Sequence, residues 1–100
     1  MEFGDKCYKI LKQVPRGSVI TYKAIAEKIG GKAYRAVGSA MNKNMRKDVP
    51  CHRVVNSDGR VGGFARGVRE KIRLLRKDGI EVKNGRVDLK RYGYYFRLTF

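Results

Sequence analysis

A glycine pair, Gly30-Gly31, separates two short segments of helical apolar periodicity, and this break constrains the fold more than any other feature of the chain. Upstream, Thr21 can cap a helix over Tyr22–Ile29, in which Ala24, Ile25 and Ile29 supply a narrow apolar stripe, and the glycines end it. Downstream, a second helix is expected from about Ala33 to Lys43. Helices joined so briefly cross at a steep angle, the geometry of a helix-turn-helix, and this leaves a helix end on the surface. Within AYRAVGSAMNKN, the small residues Ala36, Gly38, Ser39 and Ala40 give up packing area or helix propensity but let something approach the backbone closely. Close packing between two helices uses small residues as well, so this feature alone leaves both readings open.

The remaining segments are short. Phe3, Cys7, Ile10, Leu11 and Val14 recur at helical spacing until Pro15 and Gly17 stop the pattern, and Cys7 on that stripe reads as core. In VPCHRVVNSDGRVGGF, a turn at Asn56-Ser57-Asp58-Gly59 separates expected extended segments at Arg53–Val55 and Arg60–Gly62. Val68, Ile72 and Leu75 predict a helix over Val68–Lys77 with Arg69, Arg73 and Arg76 on its wet face. Asn84-Gly85 predicts a two-residue hairpin turn between Glu81–Lys83 and Arg86–Leu89. In the tail, Tyr92, Tyr94, Tyr95 and Phe96 are interleaved with Arg91 and Arg97, a pattern that can stack nucleobases but more commonly packs as a terminal strand or covers the core. The expectation is an α/β, mostly helical fold: one small domain over residues 1–100, with a helix-turn-helix and a short irregular sheet or hairpin. At 100 residues the chain can bury one core, so any site must be shallow.

Charge narrows the partner. The chain carries 24 Lys and Arg against 9 Asp and Glu, a net +15, divided almost evenly between its halves, so the excess belongs to the folded unit and points to a polyanion. No apolar run is long enough to span a membrane, and MEFGDKCYKILK has charges where a signal peptide has its apolar region. An intracellular protein, in the cytoplasm or nucleus, with nucleic acid rather than a membrane as its partner, is expected; a generally basic protein with no specific partner is the bland alternative. Cys7 and Cys51 are too few for a disulfide framework and are expected reduced. With His52 they complete the thiol and imidazole inventory, and adjacent Cys51 and His52 lack the spacing of zinc ligands, so no metal is expected.

Pro50-Cys51-His52-Arg53 is the segment that can carry chemistry, although standing alone it reads first as a buried cysteine beside a surface histidine and arginine. A cysteine nucleophile must be a thiolate, which needs a proton acceptor and positive charge nearby, and both follow Cys51 directly. In an extended segment adjacent side chains point to opposite faces, so His52 would reach the sulfur only through a water or a local turn.

With its flanks, this tetrapeptide resembles a known family. ITYKAIA, YRAVGSAMNKN, VPCHRVV, GRVGGFARG and LLRKDGIEV occur in one order, from about Cys7 to Tyr92, as in the C-terminal domain of the O6-alkylguanine-DNA alkyltransferases, the direct-reversal DNA repair proteins. The resemblance implies a single-turnover, cofactor-free transfer of the alkyl group from O6-alkylguanine, with O4-alkylthymine as a related substrate, in flipped-out bases of duplex DNA. It implies that Cys51 is the acceptor and that His52 is the base acting through a water. Asp78 would orient the histidine, and Tyr22 would assist nucleotide rotation and guanine protonation. Arg35 would be the finger that enters the base stack, on a helix whose Ala36, Ser39 and Ala40 fit the minor groove, about 6 Å wide. Val54, Phe64, Ala65 and Arg66 would form the pocket. The carbonyls of Cys51 and Val54 would face the guanine amino group, and the Ala65 N–H would face O6. Asn44 and Arg53 would be structural. A monomer acting on double-stranded DNA is expected.

The chain departs from the family at several points. Asp78 stands where members commonly have Glu, one methylene longer. The Asn44–Pro50 segment is a residue shorter than usual and lacks the proline that normally follows the asparagine. Ala65 replaces a frequent serine and Arg66 a small residue, and the usual N-terminal domain is expected to be absent. Two rivals follow. An alkyltransferase-like binding module would flag lesions without transfer, although such proteins typically lack the cysteine that Cys51 supplies. A Cys-His hydrolase fits poorly with a +15 chain.

Overall fold

The computed structural model describes residues 3–30, 34–43 and 48–94. Five α-helices and a two-stranded parallel sheet follow one another as α1 (Phe3–Leu11), β1 (Ile20–Thr21), α2 (Tyr22–Ile29), α3 (Tyr34–Asn42), a 3₁₀ turn (Cys51–Arg53), β2 (Val54–Val55), α4 (Val68–Lys77) and α5 (Leu89–Tyr92). The expected class, mostly helical with a small irregular sheet, is the one observed. The Thr21 hydroxyl accepts the Ala24 N–H at 3.0 Å, capping α2, and Gly30 closes it at φ 105°, a left-handed conformation that costs a glycine little.

The sheet positions the rest. β1 pairs with β2 in the register Ile20↔Val54 and Thr21↔Val55. On its other edge, the Val19 N–H donates to Tyr92 O at 2.9 Å and the Tyr94 N–H donates to Val19 O at 2.7 Å. Side chains alternate across this strip, so it divides the interior in two. Ile20 and Val54 face a cluster with Cys7, Leu11, Ile25 and Val37, whereas Val19 and Val55 face one with Val61, Leu75, Ile80 and Val87. Helices α1, α2 and α3 pack on one another over the first cluster, and α4 packs on the 3₁₀ turn. No helix among the described residues is long and apolar enough to cross a membrane.

Four local expectations change. Helix α1 ends at Leu11, and two tighter bonds, Gln13 N–H to Ile10 O and Val14 N–H to Leu11 O, bring Val14 into the core without a further α-turn. Val68 is 45% exposed, and α4 buries Lys71 and Leu75 instead, because its inner face is centred between those two residues, to one side of the Val68–Ile72–Leu75 line. The hairpin turn at Asn84 (φ 53°) and Gly85 (φ 71°) forms as expected. Its second arm is not extended to Leu89, because the Asp88 side chain accepts the Lys90 N–H and starts α5. Arg53 lies in the 3₁₀ turn rather than in a strand. In the tail, Tyr94 packs on the first cluster and Tyr92 on the second, so these rings cover the core, but Tyr92 ends α5 and only the single bridge Val19↔Gly93 is strand-like; Tyr95, Phe96 and Arg97 lie outside the described residues.

Candidate active site

Cys51 opens the 3₁₀ turn. Pro50 holds φ −80° before it, the Arg53 N–H donates to Pro50 O at 3.0 Å, and the Val54 N–H donates to Cys51 O. The turn folds three consecutive residues over one another, so adjacent Cys51 and His52 do not take the opposite-facing geometry of an extended chain. Cys51 is buried at 8% exposure, with Sγ 3.6 Å from Met41 Sδ on α3. Cys7 is free and fully buried in the core, and burial pushes its thiol up.

His52 and Arg53 converge on one carboxylate at the C-terminal end of α4. His52 Nε2 lies 2.8 Å from Asp78 Oδ2, and Arg53 Nε donates to the same oxygen at 2.8 Å. Arg53 also donates to Val14 O at 3.1 Å, tying α1 to the site. Arg16, missed by sequence reasoning, donates to Lys77 O at 2.8 Å and stands 3.8 Å from Asp78 Oδ1. The shorter Asp side chain therefore reaches the histidine. Burial alone would raise the Asp78 carboxyl, but hydrogen bonds from Arg53 and His52 outweigh it and hold it below the usual range. Burial pushes His52 down, and Arg53 and Arg66 add to that effect against the pull of Asp78, so the imidazole stays neutral near pH 7.

Tyr22, the first residue of α2, is half-buried, and burial, with the negative charge of Cys51, raises its hydroxyl pKa and keeps it protonated. With Arg35, Asn42, Asn56 and Gly63 it lines an open groove of about 540 Å³. Arg35, Ala36 and Ser39 are exposed on α3, whose Val37 and Met41 point into the core. Ala40 does not join that exposed face. It packs against the first cluster and its carbonyl accepts the Tyr8 hydroxyl at 2.8 Å. Of the residues expected to form a pocket, Val54 is fully buried. Phe64 is half-buried, Ala65 is exposed, and the Arg66 guanidinium sits 5.4 Å from the Phe64 ring centroid. Asn44 lies outside the described residues.

Lys71 was also missed. It is fully buried, its Nζ donates to Val61 O and Gly63 O, and it faces the Tyr22 ring. The available signal was its spacing, four residues before the buried Leu75, a position where helical periodicity calls for an apolar side chain.

Residues 2–80 match the model of the 6-O-methylguanine DNA methyltransferase DNA binding domain. A bifunctional methyltransferase/endonuclease of Picrophilus torridus is 48% identical over 89 residues, which cover 87% of this chain and 30% of that protein. A methylated-DNA–protein-cysteine methyltransferase of Metallosphaera sedula is 45% identical over 82 residues, covering 81% of this chain and 51% of that protein. The chain thus spans about half or less of the length of these curated relatives. Among solved structures, S. pombe Atl1 in complex with damaged DNA containing O6-carboxymethylguanine superposes with TM-score 0.84 at 29% identity, covering 93% of this chain and 94% of that one. A half-buried Cys-His-Arg turn, held by Asp78 beside a helix pair of this geometry, is thus found on a chain that belongs to the O6-methylguanine DNA methyltransferase family, through its DNA-binding domain.

Proposed function

We propose that this chain repairs O6-alkylguanine in double-stranded DNA by transferring the alkyl group to Cys51 in a single turnover. The observation that carries the reading is the His52–Asp78 pair at 2.8 Å beside a buried cysteine, on a turn packed between α3 and α4. With Nε2 engaged by Asp78, Nδ1 of the neutral imidazole is the nitrogen left to take the thiol proton through a water. Sγ then bonds to the alkyl carbon as the carbon–O6 bond breaks, and that bond's electron pair stays on O6. The protonated Tyr22 hydroxyl supplies a proton to the departing guanine and regains one from the imidazolium through solvent. The product is a thioether, which has no easy leaving group, so each chain reacts once.

A base inside a duplex hides its O6 substituent, and extruding it costs a few kcal/mol of unstacking. Arg35, exposed near the start of α3, is suited to fill the gap, with Ala36 and Ser39 against the minor groove. The +15 charge supports sequence-independent search through phosphate contacts, as suits damage at any guanine. The Cys51 and Val54 carbonyls and the Ala65 N–H would read the base, Phe64 would pack on it, and Arg66 would stand at the rim. The protein acts as a DNA-associated monomer without cofactor. A second reading, a protein that binds lesions without transfer, draws on the match to Atl1, nearly the whole of which this chain spans.

Intact-mass measurement after incubation with a duplex carrying one O6-methylguanine separates the two. Transfer adds one methyl mass to the native chain, none to Cys51→Ser, and restores guanine in the DNA. Tight lesion binding with no mass change on the native chain supports the second reading, and more than one methyl per chain refutes the single-turnover mechanism.

A further inference from the structure

Three cations stand in a row where the Lys83–Arg86 hairpin meets the segment at Arg60. Arg60 bridges Arg86 in antiparallel fashion, and Arg86 bridges Lys83 across the Asn84-Gly85 turn. The Val61 N–H donates to Gly85 O at 3.0 Å and the Val87 N–H to Gly59 O at 2.8 Å, so Arg60 and Arg86 form a non-hydrogen-bonded pair, the kind in which side chains lie closest. Lys83 and Arg86 exchange both backbone bonds at 3.0 Å. Residues paired in this way share a face, and here it is the outer one, because the neighbouring Val61, Val82 and Val87 fill the second cluster. All three cations are exposed. Like charges directly opposite each other destabilise a strand pair, so packing does not account for the row. Carboxylates offset little of it. Arg60 Nε stands 3.4 Å from Asp58 Oδ2, both side chains being exposed, while Glu81 lies against Arg91 at 3.5 Å and Asp88 caps α5. Among the described residues no carboxylate pairs with Lys83 or Arg86.

The row continues the groove of the candidate site. Ser57 and Asp58, in the turn that leads to Arg60, line that groove together with Tyr22 and Arg35. Lys83 and Arg86 lie beyond residue 80, where the match to the DNA-binding domain ends. We propose that Arg60, Arg86 and Lys83 bind successive phosphates of one DNA strand and so extend the duplex interface from the groove onto the hairpin. This rests on the reading of duplex DNA as the partner. Two interstrand spacings separate the outer members of the row, about 10 Å at the backbone, and a strand of DNA carries one charge per about 3.4 Å of axis, so the row matches about three phosphates. A phosphate seated between neighbouring cations removes the repulsion that the free hairpin carries, and Arg60 exchanges an exposed carboxylate for it.

The test measures affinity for an undamaged fluorescent duplex by anisotropy, from about 0.05 to 0.3 M salt, and reads the slope of log K against log salt. Each phosphate contact contributes about 0.9 to that slope, so the Lys83→Gln/Arg86→Gln chain should lose about two from its magnitude. The control, Lys6→Gln/Lys9→Gln on the exposed side of α1, removes the same charge from a helix that covers the other cluster. The Debye length is about 10 Å at 0.1 M salt, so charge lost far from the DNA should move the slope by less than about 0.5. Equal slopes in the native and hairpin chains overturn the proposal. So does an equal loss in the control, which would report net charge rather than a row. Lys83→Gln and Arg86→Gln singly, each expected to lose about one, serve if the double variant does not fold. A hairpin-specific loss in a chain that leaves O6-methylguanine unrepaired removes the transfer reading alone. Repair with coincident slopes removes the row alone, and a native chain that binds no duplex removes both.

Discussion

Replacing Asp78 by Asn tests the site and the fold together. The carboxylate accepts from His52 and Arg53 at 2.8 Å each, and the three side chains are only 9%, 14% and 16% exposed, so solvent screens little of the interaction. Arg16, 68% exposed and 3.8 Å away, adds little. Hydrogen bonds to charged groups contribute about 1.5–3 kcal/mol each, and Asn retains one acceptor, so the net loss is about 3 kcal/mol. For a chain of this size that lowers Tm by about 12 °C or more at pH 7. The sign of the pH dependence is fixed. The folded-state pKa of Asp78 lies below its ordinary value, so its contribution is complete above the unfolded pKa and disappears as pH falls through the folded one. Urea unfolding of native and Asp78→Asn chains at pH 7, 5 and 3 should show a stability gap that narrows in acid. A Tm change below about 3 °C, or a gap of constant size down to pH 3, would refute the assignment of Asp78 as an anionic anchor.

Three further outcomes are expected. Arg35→Ala should slow transfer from duplex DNA by at least about tenfold, as unstacking is left uncompensated, while leaving iodoacetamide reactivity of Cys51 unchanged; loss of both would place Arg35 in the fold rather than at the DNA. Because burial holds the pKa of His52 below its ordinary value, the transfer rate should be flat through neutral pH and fall only below about pH 6.5, and a midpoint above that, read from a pH–rate profile, contradicts the neutral base. Gly59→Ala should destabilise the chain by about 2 kcal/mol or more in urea unfolding, since Gly59 has φ 90° and an added Cβ would stand 2.7 Å from Val87 O; a change under about 0.5 kcal/mol would mean the turn relaxes freely.

The parts of this structure that were legible in the sequence are those with local chemistry. Thr21, the Tyr22–Ile29 stripe and Gly30 define α2 without help from the rest of the chain, and Asn84-Gly85 dictates its own turn because both residues must take positive φ. The Cys51–Arg53 turn was not legible, since three residues are too few to show periodicity and an apolar run on both sides reads as strand. Asp78 came into view only through the family resemblance: nothing in its neighbours reveals that a carboxylate ending α4 meets a histidine 26 residues earlier. Val68 and Lys71 mislead in opposite directions, an exposed valine and a buried lysine on one helix, because composition ranks side chains by average behaviour and tertiary packing decides the face.

The strip formed by β1 and β2 gives the site an unusual mechanical position. Cys51 belongs to the half of the interior beneath α1, α2 and α3, whereas Leu75 and Ile80, on either side of Asp78 in sequence, belong to the other half. Cys51 and the helix end that bears Asp78 are thus anchored in separate compartments that share a parallel seam only two residues long on each strand. The distance between them measures how well the compartments stay in register. The His52–Asp78 contact links the two halves, so it is expected to part under a milder stress than the one that unfolds the helices.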